Sequence, residues 1–344
     1  MGKQRLVIKL GSTIITNQKG NIDEAILQKL AKEVAGLMST FNVVLVSSGA
    51  VASGKAFIRN YKGTLTEKKA AAAVGNPLLI QSYHHYFSQY GITIAQALCE
   101  RHHFSNRSQF LQLKETFLEL WANNILPVVN ENDMVSNVEL KFSDNDELAT
   151  LVAIGLDAEI LLICTSAGGF LDAGKKVIPV IDKIDNKIAG FVRHEKSSLG
   201  LGGMLSKLTF TRLASSLGIR VIISGLSGGH PLSDALDGNN GTLFKAQKSD
   251  LKARQKWLAS GSITLGSICV DEGAEKALST RKSLLAVGVS KAKGRFLSGE
   301  VVQLVNLKDT IIGVAKVRMS AEELMEPVSK KGSVAAHADN IVLF

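Results

Sequence analysis

At 344 residues the chain is long for a single hydrophobic core, and two domains are the better expectation. Apolar residues at 45% and charged residues at 21% form an ordinary globular balance, which excludes a disordered or fibrous chain. The net charge of +9 invites a nucleic-acid reading, but residues 262–344 carry only +2 of it, so a basic surface suited to anionic substrates explains the excess as well.

No run approaches the roughly 20 apolar residues needed to span a bilayer. Met1-Gly2-Lys3-Gln4-Arg5 leads straight into a strand-like run without the apolar core or cleavage site of a signal peptide. Cys99, Cys164 and Cys269 are odd in number and far apart, so buried free thiols are expected rather than a disulfide framework. A cytoplasmic protein fits these features.

The first two-thirds alternates between two textures. Apolar, β-branched runs at Arg5–Leu10, Val43–Val46, Ile92–Leu98, Ile125–Val129, Ile160–Cys164 and Arg220–Ile223 suit strands buried on both faces of a parallel sheet. Helical patterns fall between them, at Ile22–Met38, Glu67–Phe87, Gln109–Asn123, Asp146–Ile154 and Met204–Leu217. The alternation predicts a doubly wound α/β domain with a mostly parallel central sheet between helices, covering residues 1–246. Its ligands are expected beyond the carboxyl ends of the strands. Lys245–Ser260 reads as a charged helical linker, with the domain boundary drawn at 247–261. Residues 262–344 read as a small β-rich module, with strands at Ser262–Val270, Val301–Leu307, Thr310–Arg318 and Asn340–Leu343 and a helix at Glu272–Leu278.

Five clusters could carry chemistry. Lys9 lies inside the first apolar strand, just before Gly11-Ser12. A lysine there is costly unless its ammonium reaches an anion or water, so it either projects towards a phosphate or snorkels to the surface. Small residues after the second strand, Ser47-Ser48-Gly49-Ala50, leave room for a ligand, as a simple tight turn also does. Asn130-Glu131-Asn132-Asp133 and Ser143-Asp144-Asn145-Asp146 place acids and amides at two strand-to-helix transitions that can converge in one cleft. One of Asp144, Asn145 and Asp146 is expected to cap the following helix. Finally, Gly200-Leu201-Gly202-Gly203-Met204-Leu205-Ser206-Lys207 opens an amphipathic helix with glycines and a lysine one turn in. That is a phosphate cradle by free amides, dipole and charge, yet it has neither P-loop nor dinucleotide-fingerprint spacing. The adjacent pairs His84-His85 and His102-His103 lack metal-site spacing. Trp121 and Trp257 are expected to pack rather than stack on a ligand.

Together these motifs resemble the amino-acid kinase family, and within it the branch whose members phosphorylate glutamate. The likeness runs nearly end to end, adding Ala72-Ala73-Val74-Gly75, Pro127-Val128-Val129 and Gly241-Thr242-Leu243-Phe244 to the clusters above. The C-terminal module is similar to a PUA domain at Val270-Asp271-Glu272-Gly273-Ala274, Ser283-Leu284-Leu285, Gly288-Val289, Gly294-Arg295-Phe296 and Gly299-Glu300-Val301. That appendage favours the glutamate branch over the acetylglutamate one.

The resemblance implies ATP-dependent phosphorylation of the L-glutamate side-chain carboxylate to L-glutamyl 5-phosphate, the first step of proline biosynthesis. It assigns Lys9 and Lys207 to stabilising the transferred phosphoryl group and Asp146 to orienting them. Ser48, Asp133 and Asn145 match the glutamate-binding positions. Lys9, Gly11, Thr165, Ser166, Leu201, Gly202, Gly203, Met204, Leu205, Ser206 and Lys207 fall on the ATP track. Mg²⁺ is implied, held mainly by phosphates and water. Proline is implied as a feedback inhibitor, and a homodimer or homotetramer as the assembly.

RNA is implied as a partner of the PUA-like module. There Arg281, Lys282, Lys291, Lys293 and Arg295 form an acid-free basic stretch, which equally suits a solvated face. One departure falls on the nucleotide side. Thr165-Ser166 stands where the family has Thr-Asp, and the Ala167–Pro179 segment is short and lacks the usual Asp-Pro. Leu201 replaces a common threonine.

Overall fold

The apolar runs of the first two-thirds become one eight-stranded sheet. The computed structural model describes residues 2–17, 21–105, 107–135, 142, 144–184, 188, 191, 203–248, 266–326 and 332–343. The chain divides into two compact units, one of residues 1–100 with 111–249, the other of 101–110 with 250–344.

In the first unit the strands are β1 (Gln4–Leu10), β2 (Phe41–Ser47), β3 (Thr93–Cys99), β4 (Ile125–Glu131), β5 (Ile160–Cys164), β6 (Val180–Ile181), β7 (Arg220–Ser224) and β8 (Thr242–Phe244). Their order across the sheet is β3-β4-β2-β1-β5-β7-β8-β6. Every pairing is parallel except β7 with β8. Strands β1 and β5 lie at the centre, and the last five residues of β1 and all of β5 are buried, as near-continuous apolar runs require. The register sets Leu10 against both Ser47 and Cys164, and Cys164 against Ser224, so the strand ends align in one row. The loops after that row hold Gly11, Ser48, Asp133, Thr165 and Ser166.

The helices have identifiable starts. Asp23 caps Glu24–Leu37, which buries Leu27, Leu30, Ala31, Val34 and Leu37 as one stripe. Thr64 and Glu67 form a reciprocal capping box for Leu65–Ser88, which moves the expected start two residues earlier. That helix crosses Ala50–Gly54 at van der Waals distance. A Cβ on Gly75 would stand 1.8 Å from the Ala50 carbonyl oxygen, and one on Gly54 would stand 1.9 Å from that of Ala71. The Ala-Ala-Val-Gly motif is therefore a packing motif: it lets one helix seat the segment that follows β2.

In the second unit β9 (Gly266–Val270), β11 (Val289–Gly294), β12 (Val301–Val305), β13 (Ile311–Lys316) and β15 (Ile341–Leu343) form a sheet ordered β11-β9-β12-β13-β15. β10 (Leu284–Leu285) pairs with β14 (Val334–Ala336). The unit has its own core, including Ile268, Val270, Leu278, Val302, Leu304 and Ala315. Strand β11 is not expected from the sequence because its exposed Lys291 and Lys293 leave only Val289 buried. Backbone pairing with β9 forms it instead, and at Gly266 the two strands come so close that a Cβ would meet the Lys293 carbonyl oxygen at 2.4 Å.

Residues 245–248 of the expected linker carry no helix, and 249–260 lie outside the described residues, as does Trp257. Trp121 packs as expected and donates its Nε1–H to the Val43 carbonyl at 2.9 Å. The three cysteines are free; Cys99 and Cys164 are buried as expected, whereas Cys269 is only partly buried. Among the described residues no helix is long and apolar enough to cross a membrane, and no group of three or more His, Cys, Asp or Glu side chains could hold a metal ion.

Candidate active site

The strongest electrostatic feature stands at the carboxyl end of β1. The Lys9 ammonium lies 2.6 Å from Asp146 Oδ1, and the Lys207 ammonium lies 2.7 Å from Asp146 Oδ2. Lys9 is 6% exposed and Asp146 1%, so the lysine does not snorkel. One carboxylate between two ammoniums leaves a formal excess of one positive charge in a poorly hydrated place. Burying it costs several kcal/mol per ion unless another anion completes the cluster. Cys164, opposite Leu10, does not supply that anion: burial pushes its thiol up to about 12, although the charge of Lys9 pulls the other way. Two ammoniums sharing one carboxylate have the charge and orientation to accept an anion such as a phosphate.

Local chemistry explains how the side chains reach it. Asp144 is the helix cap, its Oδ1 accepting from the Asp146 and Glu147 amides at 2.9 and 3.1 Å. Capping thus occupies Asp144 and leaves Asn145 and Asp146 for other partners. Lys207 projects from the first turns of the Gly203–Ser216 helix. Gly11 follows β1 beside the cluster: a Cβ there would stand 3.4 Å from the Cys164 carbonyl oxygen and 3.9 Å from the Lys9 nitrogen, both ordinary contact distances.

Beside the cluster opens a cavity of about 550 Å³ lined by Ser12, Ser48, Lys55, Asn130, Asp133 and Asn145, among others. Asn145 Nδ2 is 2.8 Å from the Ser47 carbonyl, 2.9 Å from Ser48 Oγ and 3.2 Å from Asn130 Oδ1. Gly49, at φ +102°, turns the chain from β2 into the Ala50–Gly54 helix, a conformation that a larger residue resists. Ser47 Oγ pairs with the phenol of Tyr83 at 2.9 Å, and burial raises the pKa of that phenol, so it stays neutral. The three expected acceptor-side residues, Ser48, Asp133 and Asn145, thus line one cavity, and Asn145 adjoins the Lys9–Asp146–Lys207 cluster in the chain.

Members of the amino acid kinase family match residues 4–225 of the chain, and the PUA domain matches 266–337. The chain belongs to the amino acid kinase family. Among its relatives, glutamate 5-kinase of Aquifex aeolicus is 39% identical, over 99% of each chain. Glutamate 5-kinase 1 of Bacillus subtilis is 37% identical over 96% of this chain and 94% of its own. The solved Giardia carbamate kinase shares the fold at a TM-score of 0.52 with 17% identity, covering 72% of this chain and all of its own. The amino acid kinase fold therefore accounts for the eight-stranded sheet, and the PUA domain for the separate five-stranded one.

On the nucleotide side, as the family resemblance places it, Thr165 and Ser166 follow β5, and Ser166 is exposed. The Thr165 amide donates to the Ser224 carbonyl at 2.8 Å, fixing this turn to the end of β7. The short segment beyond forms a small hairpin, with Leu171 bridging Val177. Asp172 Oδ1 accepts from the Gly174 and Lys176 amides at 2.8 and 2.9 Å. Leu201 and Gly202 lie outside the described residues. Gly203, Met204, Leu205 and Ser206 form the first turn of the helix that carries Lys207.

Several polar residues around the cavity escape a sequence reading. Lys55 and Tyr61 line it, and Asn76 and Tyr83 support its walls from the Leu65–Ser88 helix. Asn76 directly follows the Ala-Ala-Val-Gly motif, which is the only local signal for it.

Proposed function

We propose that this chain transfers the γ-phosphoryl group of ATP to the side-chain carboxylate of L-glutamate, giving L-glutamyl 5-phosphate and ADP. The supporting observation is the buried Lys9–Asp146–Lys207 cluster beside an acid- and amide-lined cavity. The near-full-length similarity to relatives named glutamate 5-kinase supports the choice of acceptor. In such a family the reaction opens proline biosynthesis.

The acceptor is already an anion, so no general base is required. A carboxylate oxygen forms its bond to phosphorus as the bond to the bridging oxygen breaks, and the electron pair leaves with ADP. The difficulty is repulsion between two negative groups, which makes positioning and charge neutralisation the main tasks. Lys9 and Lys207 approach one carboxylate from two elements, β1 and the Gly203–Ser216 helix. Their ammoniums are held apart and preoriented for the charge spreading over the transferred oxygens. Asp146 fixes both and prevents their mutual repulsion from displacing them. Asp133 offers a carboxylate to the substrate ammonium, and Ser48 and Asn145 complete the acceptor site.

The phosphate track runs past Gly11 and the start of the Gly203–Ser216 helix. Mg²⁺ supplies further charge neutralisation when bound. As the family resemblance implies, it would be held mainly by phosphates and water. Inhibition by proline, a cytoplasmic location and assembly as a homodimer or homotetramer complete the proposal on the strength of the family resemblance. Arg281, Lys282, Lys291, Lys293 and Arg295 are all exposed, but Lys293 lies 3.5 Å from Asp309, which favours a solvated face over an RNA footprint.

Hydroxylamine trapping of the acyl phosphate, run separately with glutamate, aspartate and acetylglutamate, tests the acceptor. Hydroxamate is expected with glutamate. Turnover confined to either of the others sinks the assignment.

A further inference from the structure

One buried polar residue behind the acceptor cavity has no role in the reaction as derived so far. Asn76 lies within the Leu65–Ser88 helix and is 7% exposed. A primary amide at that depth destabilises the fold unless its polar atoms are paired. Its Oδ1 accepts from Asn130 Nδ2 at 3.1 Å.

The polarity of this link is set by backbone groups whose character cannot be exchanged. The Glu131 amide donates to Asn130 Oδ1 at 2.9 Å, so Asn130 has only its amide hydrogens to offer Asn76. The same Asn130 oxygen lies 3.2 Å from Asn145 Nδ2. Asn145 Nδ2 is also 2.8 Å from the Ser47 carbonyl, which can only accept. The nitrogen of the Asn145 amide is therefore committed to the protein. Its oxygen is the end left for a donor on a bound substrate, at a position that lines the cavity.

We infer that Asn76 is a positioning residue for the phosphoryl acceptor: by holding Asn130 it fixes the Asn145 amide with its oxygen available to the substrate. The inference rests on the glutamate-phosphorylating reading of this cavity. It also accounts for an amide inside a helix already crowded by the Gly54–Gly75 contact and containing Pro77. An apolar residue of the same size would fill the space but leave the Asn130 hydrogens unpaired.

Steady-state kinetics of the full-length protein, with glutamate and ATP varied separately, test this in the wild type, Asn76→Leu and Asn76→Asp. Asn76→Leu is expected to raise the KM for glutamate on the order of tenfold and leave the KM for ATP essentially unchanged. Asn76→Asp keeps an acceptor oxygen at the same reach and should recover most of that loss. If Asn76→Leu does not fold, Asn76→Ser, whose oxygen stops short of Asn130, carries the same expectation. A lowered Tm with an unaltered KM for glutamate, or equal rises for both substrates, overturns the proposal by making Asn76 a packing residue only. Should the wild type show no turnover with glutamate, the functional reading falls first. Crystal structures of wild type and Asn76→Leu then decide the relay: an Asn145 amide displaced from the Ser47 carbonyl in the variant supports it, and an unmoved one overturns it.

Discussion

The two sides of the strand-end row are built differently. On the acceptor side, Ser47, Asn76, Tyr83, Asn130 and Asn145 form a connected set of hydrogen bonds, with Asn76 and Asn130 buried and the Tyr83 ring fully enclosed. On the nucleotide side, Thr165 is tied to β7 by one backbone bond, and the following hairpin closes on itself through Asp172. The first side is held by one connected set of mostly side-chain bonds, the second by its own hairpin and by separate bonds to the neighbouring strands, from Thr165 to Ser224 of β7 and from Phe170 to Thr242 of β8. Discrimination between acceptors demands fixed polar groups, because a buried partner left unpaired is what rejects the wrong ligand. A nucleotide held largely through its phosphates needs less of that, since charge and free amides at a helix start suffice.

Removing the charges common to both sides has the largest expected effect. Lys9→Ala and Lys207→Ala should each lower kcat on the order of 10³-fold, with a much smaller change in the KM for glutamate. The two should not be additive, since both act through Asp146 on one transferring group. Near-normal turnover in either variant would falsify its placement on the phosphoryl group. Circular dichroism and Tm accompany the kinetics, because truncating one lysine alters a buried ion cluster.

Next in size is a change that leaves every polar group in place. Gly75→Ala puts a Cβ within 1.8 Å of the Ala50 carbonyl oxygen, backbone that cannot yield without moving the Ala50–Gly54 helix. The expected cost is about 3 kcal/mol of stability, at the upper end for overpacking. Because Ser48 and Gly49 lead into that helix, the KM for glutamate should rise more than that for ATP. A variant that is destabilised yet binds both substrates normally would show that the crossing serves stability alone.

Much of this was open to a sequence reading, for reasons particular to each residue. Apolar β-branched runs mark β1, β2, β4, β5 and β7 because strands buried on both faces need no polar alternation. Lys9 stands out because an ammonium inside such a run demands an explanation. Residue type alone does not separate Asp144, Asn145 and Asp146, since any of them can cap a helix; the family resemblance singles out Asn145 and Asp146, and the cap geometry assigns the capping to Asp144. Asn76 and Tyr83 were not legible, since their partners lie 54 and 36 positions away and an asparagine or tyrosine in a helix carries no local mark of such pairing. β8 and β6, of three and two residues, are too short for any periodic signal, and the lysines of β11 conceal its strand character.

The smallest expected effect probes the nucleotide side, where the chain departs from its family. Ser166 stands at an exposed turn where the family resemblance implies an aspartate. The carboxylate nearest to it in the chain, Asp172, already accepts two backbone amides within its own hairpin. Nothing in that segment therefore substitutes for the lost charge. Ser166→Asp should lower the KM for ATP by about threefold, the scale of one exposed charge-assisted contact, and leave the KM for glutamate unaltered. The same substitution should leave the acceptor cavity intact, because Thr165 bonds to Ser224 of β7, on the far side of β5 from β1 and the Asn130–Asn145 set. An unchanged KM for ATP would mean that the hairpin backbone itself holds the nucleotide. A shift in the glutamate KM would mean that the two sides are coupled through the Lys9–Asp146–Lys207 cluster and that their separate construction does not make them independent.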